Sequence, residues 1–477
     1  MTDRRNSFFA RIVVVLALAL FSTAATAALP PPVAQALAAA AIPESAIGLY
    51  VHEIGEERPV VVHGAERALN PASTMKLVTT YAGLELLGPA YTWSTEIYAA
   101  GAVQNEILSG DLIIRGYGDP KLTLENFWLL LRNLRARGIR EIRGDVLLDR
   151  TFFSADDYDP ARFDDQPTRP YNTGPDPLLV NFKAVTLQFV PELDARLRVI
   201  TDPALPQVQV VNNVVLNDTP CGDWVSRLRI DTQANAEHAR LILGGTYSRD
   251  CGERARSFSV LSHRAYVAAV FTQLWKDVGG TLTGTVRDGQ VPQAARLIST
   301  TRSDALSEVI RDINKYSNNV MARQLFLTLG ALGGGVPGTL DKSRNVVRQW
   351  LAQKGTPAPE LVIDNGSGLS RTERISARTL GEMLLGAYRS PVMPELMASL
   401  PVVAADGTMR KRLSNAEVAG QAHIKTGSLS GVRSIAGYVL DTRGKRIVVV
   451  FIVNHANAGN AQAAQDALLR WAFRGAR

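Results

Sequence analysis

The feature that most limits the fold is a change in predicted secondary structure along the chain. From about residue 96 to about residue 290, short β-rich segments alternate with turn residues, whereas the flanking regions contain long stretches with helical periodicity. A chain of 477 residues is also too long for one ordinary hydrophobic core. We therefore predict a discontinuous domain, residues 28–95 plus 291–477, interrupted at residues 96–290 by one or two small β-rich domains.

Both cysteines of the chain, Cys221 and Cys251, lie within this β-rich region. Residues 224–231 and 239–247 are predicted to form two strands joined by a polar loop, so the cysteines would face each other at the open end of a hairpin. In an oxidising compartment we expect a disulfide, which contributes roughly 3–4 kcal/mol. Two inert buried thiols are the alternative. One clear helix, residues 124–137, is predicted in the same region.

The first 27 residues differ in character from the rest of the chain. A basic start at Arg4 and Arg5 precedes an apolar run over residues 12–21, and residues 25–27 have the small-x-small pattern of a cleavage site. The apolar run is shorter than the about 20 residues that span a bilayer. We predict a cleaved signal peptide, residues 1–27, and a periplasmic protein. An uncleaved membrane anchor is the alternative.

The net charge of +7 is a mild basic bias for a chain with 52 basic and 45 acidic residues. Such a bias suits an exported protein that meets the anionic polymers of a cell envelope. Because no Lys/Arg cluster is interleaved with aromatic residues, we expect no nucleic-acid partner. The sequence indicates no oligomeric state.

The end of the chain is predicted to form a strand meander capped by a helix. Residues 422–429, 434–441 and 447–454 are the strands, and residues 461–473 are the helix. Because this helix is Ala-rich at its start and directly follows the strands, we expect it to pack on the sheet. Its Trp471, Phe473 and arginines leave weak association with a membrane surface as the alternative.

A serine and a lysine lie one helical turn apart near the predicted mature N-terminus. Pro71 and the apolar residues after it predict a buried helix that stops at Gly88, with Ser73 at its N-terminus. This spacing puts the amine of Lys76 next to the hydroxyl of Ser73. Serine becomes a nucleophile when a base takes its proton, and lysine can be that base where burial or nearby cations lower its pKa. Of ten lysines, only Lys76 has a serine three positions earlier.

Two further short motifs complete the set: Ser317-Asn318-Asn319, and Lys425-Thr426-Gly427 followed by Ser428. The first lies at a predicted helix–helix junction, where a hydroxyl and an amide can bridge two lysines and hold a substrate amide. The second lies on a predicted strand, where a cation and a glycine let a substrate backbone and its terminal carboxylate approach the edge.

The order and wide spacing of these motifs match the serine acyltransferases that react with penicillin. Together with the large insertion after the first motif, they make the chain resemble the low-molecular-mass class C penicillin-binding proteins, the type-4 group of D-alanyl-D-alanine carboxypeptidases and endopeptidases. Residues 116–120, 174–181, 365–370 and 406–409 are also similar to this family. The resemblance implies an α/β (α+β) architecture, in which helices flank the antiparallel sheet of a serine β-lactamase/transpeptidase-like domain that carries a β-rich insertion.

The resemblance also implies a mechanism. Ser73 would attack the carbonyl between two D-alanines while Lys76 accepts its proton, and Ser317 would relay a proton to the leaving amine. The backbone N–H groups of Ser73 and Ser428 would form the oxyanion hole. The substrates would be peptidoglycan stem peptides and cross-links, β-lactams would be covalent inhibitors, and no cofactor is expected.

Substrate binding would fall to the remaining motif residues. Asn319 would hold the amide on the acyl side. The Lys425-Thr426-Gly427 strand, together with Ser428, would bind the carboxylate of a terminal D-alanine.

Three rival functions were weighed against this one. A zinc peptidase is disfavoured because the six histidines are scattered singly and no His-Glu-x-x-His occurs, so no metal site is expected. A Ser-His-Asp esterase lacks its Gly-x-Ser-x-Gly elbow, and we expect His423, near Lys425, to be a packed strand residue. The remaining alternative is a penicillin-binding sensor or wall-binding module that uses the same pocket without hydrolysis.

Overall fold

The structure is a computed structural model that describes residues 28–154, 158–193 and 196–476. The predicted signal peptide lies outside these residues. Among the residues described, no helix has both the length and the apolar character needed to cross a bilayer.

Helices and strands are numbered here in chain order. The segment before the β-rich region contains α1 (Pro31–Ala39), β1 (Ile47–Glu53), β2 (Val61–His63) and α2 (Lys76–Leu87). The β-rich region contains β3 (Ser94–Gln104), β4 (Ile107–Gly116), α3 (Leu124–Ala136), β5 (Glu141–Ile142), β6 (Val146–Asp149), β7 (Val185–Pro191), β8 (Leu197–Asp202), β9 (Val208–Asn212), β10 (Val215–Asn217), α4 (Trp224–Arg227), β11 (Leu228–Ala234), β12 (Ala239–Ser248), β13 (Arg254–Phe258), α5 (His263–Asp277), β14 (Thr281–Leu282), β15 (Val286–Asp288) and β16 (Arg296–Arg302). The last part contains α6 (Leu306–Lys315), α7 (Asn319–Gly334), α8 (Leu340–Gln353), α9 (Ala377–Tyr388), α10 (Met393–Ser399), β17 (Ala422–Leu429), β18 (Val432–Leu440), β19 (Arg446–Asn454) and α11 (Gln462–Phe473).

An antiparallel sheet in the order β17-β18-β19-β1-β2 joins the two ends of the chain. Its central strands are apolar on both faces, and every residue of β1 is buried. One face packs with α1 and α11, and the opposite face with α2 and α9. The predicted antiparallel sheet flanked by helices is therefore confirmed. Helix α11 buries Leu468 and Leu469 against the sheet, and Trp471 and Phe473 pack against the same cluster.

Strands β3 to β16 form three further sheets in the described part of the chain. Strands β3–β6 and β14–β16 form one, β9–β12 form the second, and β7, β8 and β13 form the third. Strand β16 pairs antiparallel with β3, so this β-structure continues beyond the predicted boundary at residue 290. We propose that the inserted unit ends near residue 302.

Two details of the β-rich region correct the sequence-based predictions. A second long helix, α5, occurs there, and Ser262 caps it by accepting a hydrogen bond from Ala265 N. Its β-branched and aromatic residues have modest helix propensity, which masked the helix. The strand predicted over residues 224–231 begins only at Leu228, because Asp223 caps a preceding helical turn, α4.

The disulfide between Cys221 and Cys251 lies beside these elements. The two Cα atoms are 4.7 Å apart. The bond joins the chain before α4 to the turn after β12, and Cys251 is buried in the core of the inserted unit.

Helix α7 is where the inserted unit docks on the sheet-bearing part. Gln324 exchanges two hydrogen bonds with the backbone of Asp176, its Nε2 donating at 2.8 Å and its Oε1 accepting at 2.9 Å. The Arg323 guanidinium donates to the carbonyls of Tyr171 and Thr173, each at 3.1 Å. Because α7 begins at Asn319, this docking also holds one wall of the site described next.

Candidate active site

Ser73 lies in a 3₁₀ turn, residues Ala72–Met75, that leads directly into α2. The turn is held from the sheet side, because the Asn70 side chain accepts from Ala72 N at 2.9 Å and the backbone of Asn70 exchanges two hydrogen bonds with the Asn454 side chain. The predicted position of Ser73 at the helix N-terminus is confirmed. These bonds hold the turn that carries Ser73 against the end of β19.

Lys76 is fully buried and its amine has three polar neighbours. The Nζ atom lies 3.0 Å from Ser73 Oγ and 2.6 Å from Asn319 Oδ1, and it also contacts the carbonyl of Ser367. The amide oxygen and the carbonyl can only accept hydrogen bonds, whereas the serine hydroxyl can donate one. A neutral amine would give its two hydrogens to the two obligate acceptors and direct its lone pair at the Ser73 hydroxyl. The site can therefore satisfy every hydrogen-bonding position of the neutral, basic form of the lysine amine.

The electrostatics of the site favour that neutral form. Burial holds the pKa of Lys76 well below its usual value, and the positive charges of Lys425 and Arg323 lower it further. The buried carboxylate of Glu373 opposes this effect. The net lowering of the pKa favours the neutral amine, which is the form that can take a proton from Ser73.

Ser317 and Lys425 form the opposite side of the cleft. Lys425 Nζ donates to Ser317 Oγ at 3.0 Å and to the carbonyl of Thr426 at 2.8 Å. Ser317 lies between α6 and α7 with a φ of 57°, a left-handed conformation that turns the chain so that Asn319 also faces Lys76. Burial lowers the pKa of Lys425 to about 7.

Strand β17 is an edge strand of the sheet, and the outer backbone groups of its first residues bond to residues 401 and 403. The carbonyl of Ala422 accepts from Val403 N, and Ile424 N donates to Pro401, so even-numbered residues present their backbone groups away from β18. By this alternation Thr426 and Ser428 also point their N–H and C=O groups outward. The strand can therefore bind an extended peptide by adding it to the sheet edge.

Gly427 is where β17 comes closest to the serine. A Cβ atom on Gly427 would lie 2.2 Å from Ser434 Oγ and 2.9 Å from Ser73 N. Only glycine fits this approach. The N–H group of Ser73 is thus adjacent to the edge that carries Ser428.

The loop of residues 364–370 supplies contacts that were not assigned from the sequence. Its Ser367 carbonyl binds Lys76, and a Cβ on Gly368 would lie 2.7 Å from Ser73 N. Glu373 holds the loop, because one buried carboxylate oxygen accepts the backbone N–H groups of residues 364, 365 and 366 at 3.0–3.2 Å. The family-like string at residues 365–370 was the available signal, but nothing in it indicated a role for Glu373.

Replacement of Glu373 by alanine is expected to lower the rate of acylation at Ser73 on the order of 10- to 100-fold. The loss follows because the loop would no longer hold the Ser367 carbonyl against Lys76. Glu373→Gln keeps an oxygen that can accept the three N–H groups and should retain most of the rate. Acylation rates are compared at matched thermal stability. Equal losses in both variants would show that the carboxylate does not act by positioning the loop.

The histidines take no part in this cluster. His423 is a half-buried residue of β17, and its Nδ1 lies 3.1 Å from the carbonyl of Met397. Across the described ranges no group of three or more His, Cys, Asp or Glu side chains is arranged to hold a metal ion. Among the residues predicted for the two walls, one set of contacts joins Ser73, Lys76 and Asn319 and another joins Ser317 and Lys425, whereas the Thr426 hydroxyl bonds to Thr408.

A cavity of about 240 Å³ opens beside this cleft. It is lined by Asn365, Leu369 and Ser370 of the loop, by Arg371, and by residues of the inserted unit. Arg371 stacks over Phe163 with 4.6 Å between its guanidinium carbon and the ring centroid. The cavity thus adjoins the loop that contacts Lys76.

Comparisons with known proteins agree with this geometry. Residues 30–474 match the profile of the D-Ala-D-Ala carboxypeptidase 3 (S13) family. The chain is 26% identical over 430 residues to the D-alanyl-D-alanine carboxypeptidase DacB of Haemophilus influenzae, covering 88% of each protein. It is 30% identical over 422 residues to the D-alanyl-D-alanine carboxypeptidase of Actinomadura sp. (strain R39), covering 85% of this chain and 77% of that one. The crystal structure of penicillin-binding protein 4 (dacB) from Haemophilus influenzae superposes with a TM-score of 0.78 at 24% identity, covering 92% of this chain and 98% of that one.

Proposed function

Because the chain belongs to the D-Ala-D-Ala carboxypeptidase 3 (S13) family, we propose that it is a serine D-alanyl-D-alanine carboxypeptidase that forms an acyl-enzyme on Ser73. One observation carries the proposal. The buried amine of Lys76 lies 3.0 Å from Ser73 Oγ, with its other two hydrogen-bonding positions occupied by obligate acceptors. This arrangement leaves the lone pair of a neutral lysine for the proton of the serine.

Acylation begins with that proton transfer. Neutral Lys76 takes the proton of Ser73 as Oγ bonds to the carbonyl carbon of the penultimate D-alanine, giving a tetrahedral intermediate. Two backbone N–H groups, of Ser73 and of Ser428, are proposed to bind its oxyanion, and each such donor contributes about 3 kcal/mol. The fit of Gly427 against Ser73 N supports this pairing, since it places both groups along one edge.

The Ser317–Lys425 pair is proposed to supply a proton to the leaving group. As the carbon–nitrogen bond breaks, the departing amine of the terminal D-alanine needs a proton. Ser317, which accepts a hydrogen bond from Lys425 at 3.0 Å, can pass one to it. The proton that Lys76 took from Ser73 replaces the one that Ser317 gave up, so Lys76 is neutral again. Water then attacks the ester carbonyl while Lys76 takes a proton from it and returns that proton to Ser73 Oγ, which releases the shortened peptide.

Recognition of the substrate's free end is assigned to β17. Lys425, Thr426 and Ser428 would bind the terminal carboxylate, and Thr426 is oriented by its hydrogen bond to Thr408 at 2.8 Å. Asn319, whose Oδ1 accepts from Lys76, would donate its amide N–H to the carbonyl on the acyl side. Peptides that end in a free D-alanyl-D-alanine are thereby favoured.

This recognition predicts a pH effect that depends on the substrate's end. Lys425 loses its charge as pH rises through its pKa of about 7, so binding of a carboxylate weakens on the alkaline side. Protonation of Lys76 at low pH affects every substrate alike. The ratio of kcat/KM for a peptide acid to kcat/KM for the same peptide as its C-terminal amide is therefore expected to fall above neutral pH. If the ratio stays constant across this pH range, Lys425 does not bind the terminal carboxylate.

The substrate class and location follow from the same family membership. We propose that the chain acts on peptidoglycan stem peptides, is acylated by β-lactams, and works in the periplasm. The similarity to two D-alanyl-D-alanine carboxypeptidases and to a penicillin-binding protein supports this. The cavity beside the cleft supports cleavage of cross-links as a second activity, because it can hold the rest of a branched peptide.

Two incubations test the function and separate it from that of a sensor. Fluorescent penicillin should label the protein covalently, and a D-alanyl-D-alanine pentapeptide should release free D-alanine. Labelling without release would assign the protein to non-hydrolytic sensing. Mass spectra of the products from intact sacculi then show whether cross-linked dimers are cleaved as well as shortened.

A further inference from the structure

A second cavity, of about 1200 Å³, lies within the inserted unit and away from Ser73. Its wall carries a cluster of titratable side chains, namely Arg150, Asp159, Asp176, Lys183, Glu237, His263, Arg264 and Asp288. None of these was assigned a role in the reaction. Apolar residues such as Phe153, Pro167 and Pro175 line the rest of the wall, so the cavity combines charge with flat apolar surface in the manner of a ligand site.

Most of the charges in this cavity neutralise one another. Arg150 binds the buried carboxylate of Asp176 through Nε at 2.8 Å and reaches Asp288 at 2.9 Å. His263 Nδ1 lies 3.8 Å from Asp176, and burial lowers the pKa of this histidine to about 4, so it is neutral. Arg264 pairs with Glu237. These groups build a rigid wall but leave little charge for a ligand.

Lys183 is different from its neighbours. Within residues 28–154, 158–193 and 196–476, no hydrogen bond or ion pair joins its amine to a partner, although it is partly buried in the wall. Its backbone has a φ of 55°, and Asn181 and Phe182 before it are also left-handed. Such a run is unfavourable for residues other than glycine and is held in place, since the Asn181 side chain donates to Tyr266 Oη at 3.0 Å. A costly turn therefore presents an unpaired cation to the cavity.

This cavity is adjacent to the smaller one, and the two share part of their walls. Tyr158, Asp159 and Pro175 line both. The smaller cavity in turn is lined by Asn365 and Ser370 of the loop that contacts Lys76 and Ser73. The loop at the active site, the smaller cavity and the larger cavity with Lys183 are therefore neighbours along the surface of the inserted unit.

We propose that the larger cavity binds a second peptide strand of cross-linked peptidoglycan, with a carboxylate of that strand on the amine of Lys183. The proposal rests on the proposed function and deepens it, because it makes the inserted unit a binding site that favours cross-linked over single peptides. Burial lowers the pKa of Lys183 to about 8 while Asp176 raises it, so the amine is mostly charged at neutral pH and suits a carboxylate.

The test compares two substrates in one variant. Lys183→Met keeps the length of the side chain and removes its charge. It is expected to lower kcat/KM for a cross-linked muropeptide dimer about tenfold, mainly through KM. The kcat/KM for a small D-alanyl-D-alanine peptide should stay within about twofold. Lys276→Met, at an exposed lysine in α5 of the same unit, is the matched control and should change neither value. Equal losses on both substrates, or none on the dimer, would overturn the proposal.

A binding measurement keeps this inference separate from the catalytic one. In a Ser73→Ala background, calorimetry should give a Kd for the dimer that Lys183→Met weakens about tenfold, and Lys183→Gln should do the same. A dimer prepared without its sugars should show the same weakening. If the weakening requires the sugars, the peptide carboxylate is not the ligand. Failure of penicillin to acylate the wild-type protein would refute the proposed function but leave this measurement valid.

Discussion

Replacement of Lys76 by arginine is expected to slow acylation by penicillin about 10³-fold. Arginine keeps a cation next to Ser73 but cannot give up its proton at any working pH, so it cannot act as the base. Lys76→Met, which removes the amine without adding bulk, should have an effect of the same size. Stopped-flow acylation with a chromogenic β-lactam measures the rate.

The control for these variants is Lys445→Arg, an exposed lysine far from the cleft. It should acylate at the wild-type rate. Melting temperatures distinguish loss of the base from loss of the fold, since arginine is larger than the fully buried side chain that it replaces. A folded Lys76→Met protein that acylates at the wild-type rate would mean that another group activates the serine.

Replacement of Ser73 by alanine is expected to abolish covalent labelling by penicillin and to lower D-alanine release by about 10⁴-fold or more. Without Oγ no ester can form, whichever residue serves as base. The N–H of residue 73 and the whole of β17 would remain, so the variant should still bind peptides. Gel fluorescence measures the covalent labelling, and a D-alanine assay measures the release of D-alanine.

The same substitution at Ser45, exposed and distant from α2, serves as the comparison. Ser45→Ala should be labelled and active at wild-type levels. Persistent labelling of Ser73→Ala would place the nucleophile elsewhere and refute the site as described.

Local chemistry explains why much of the site could be predicted. Pro71 and the apolar run after it are sufficient to place Ser73 at a helix N-terminus, and one helical turn is sufficient to bring Lys76 beside it. Strand β17 was predicted with its observed bounds, because its apolar residues and the meander after it have clear period-two character. These predictions needed no knowledge of distant contacts.

The parts that could not be predicted depend on contacts between distant segments. The Ser367 carbonyl contacts Lys76 although the two residues are 291 positions apart, and no local sequence pattern predicts that contact. Glu373 is a lone acidic residue in the sequence, and only the fold shows that it is buried and accepts three backbone N–H groups. Arg323 helps to lower the pKa of Lys76, but nothing in the sequence distinguishes it from other helix residues. Its role depends on how α7 packs against the inserted unit.

The inserted unit was the hardest part to predict, because its strands are short and its sheets are built from non-consecutive segments. Strand β16 pairs with β3 across the whole inserted unit, which is why the boundary predicted at residue 290 falls before the last paired strand. Helix α5 was not predicted, because its β-branched and aromatic residues have modest helix propensity. It nevertheless supplies His263 and Arg264 to the larger cavity. Propensity alone is a weak guide where tertiary packing decides the outcome.

The measurement that tests the central claim most directly is the titration of the Lys76 amine itself. With only ten lysines, a protein grown with ¹³Cε-lysine gives a spectrum that single variants at Lys76 and Lys425 can assign. We predict that the Lys76 resonance titrates far below the ordinary lysine pKa of about 10.4, so that the amine is neutral at neutral pH. A resonance that remains that of an ammonium ion up to the ordinary value would contradict the account, because a lysine that keeps its proton cannot take one from Ser73.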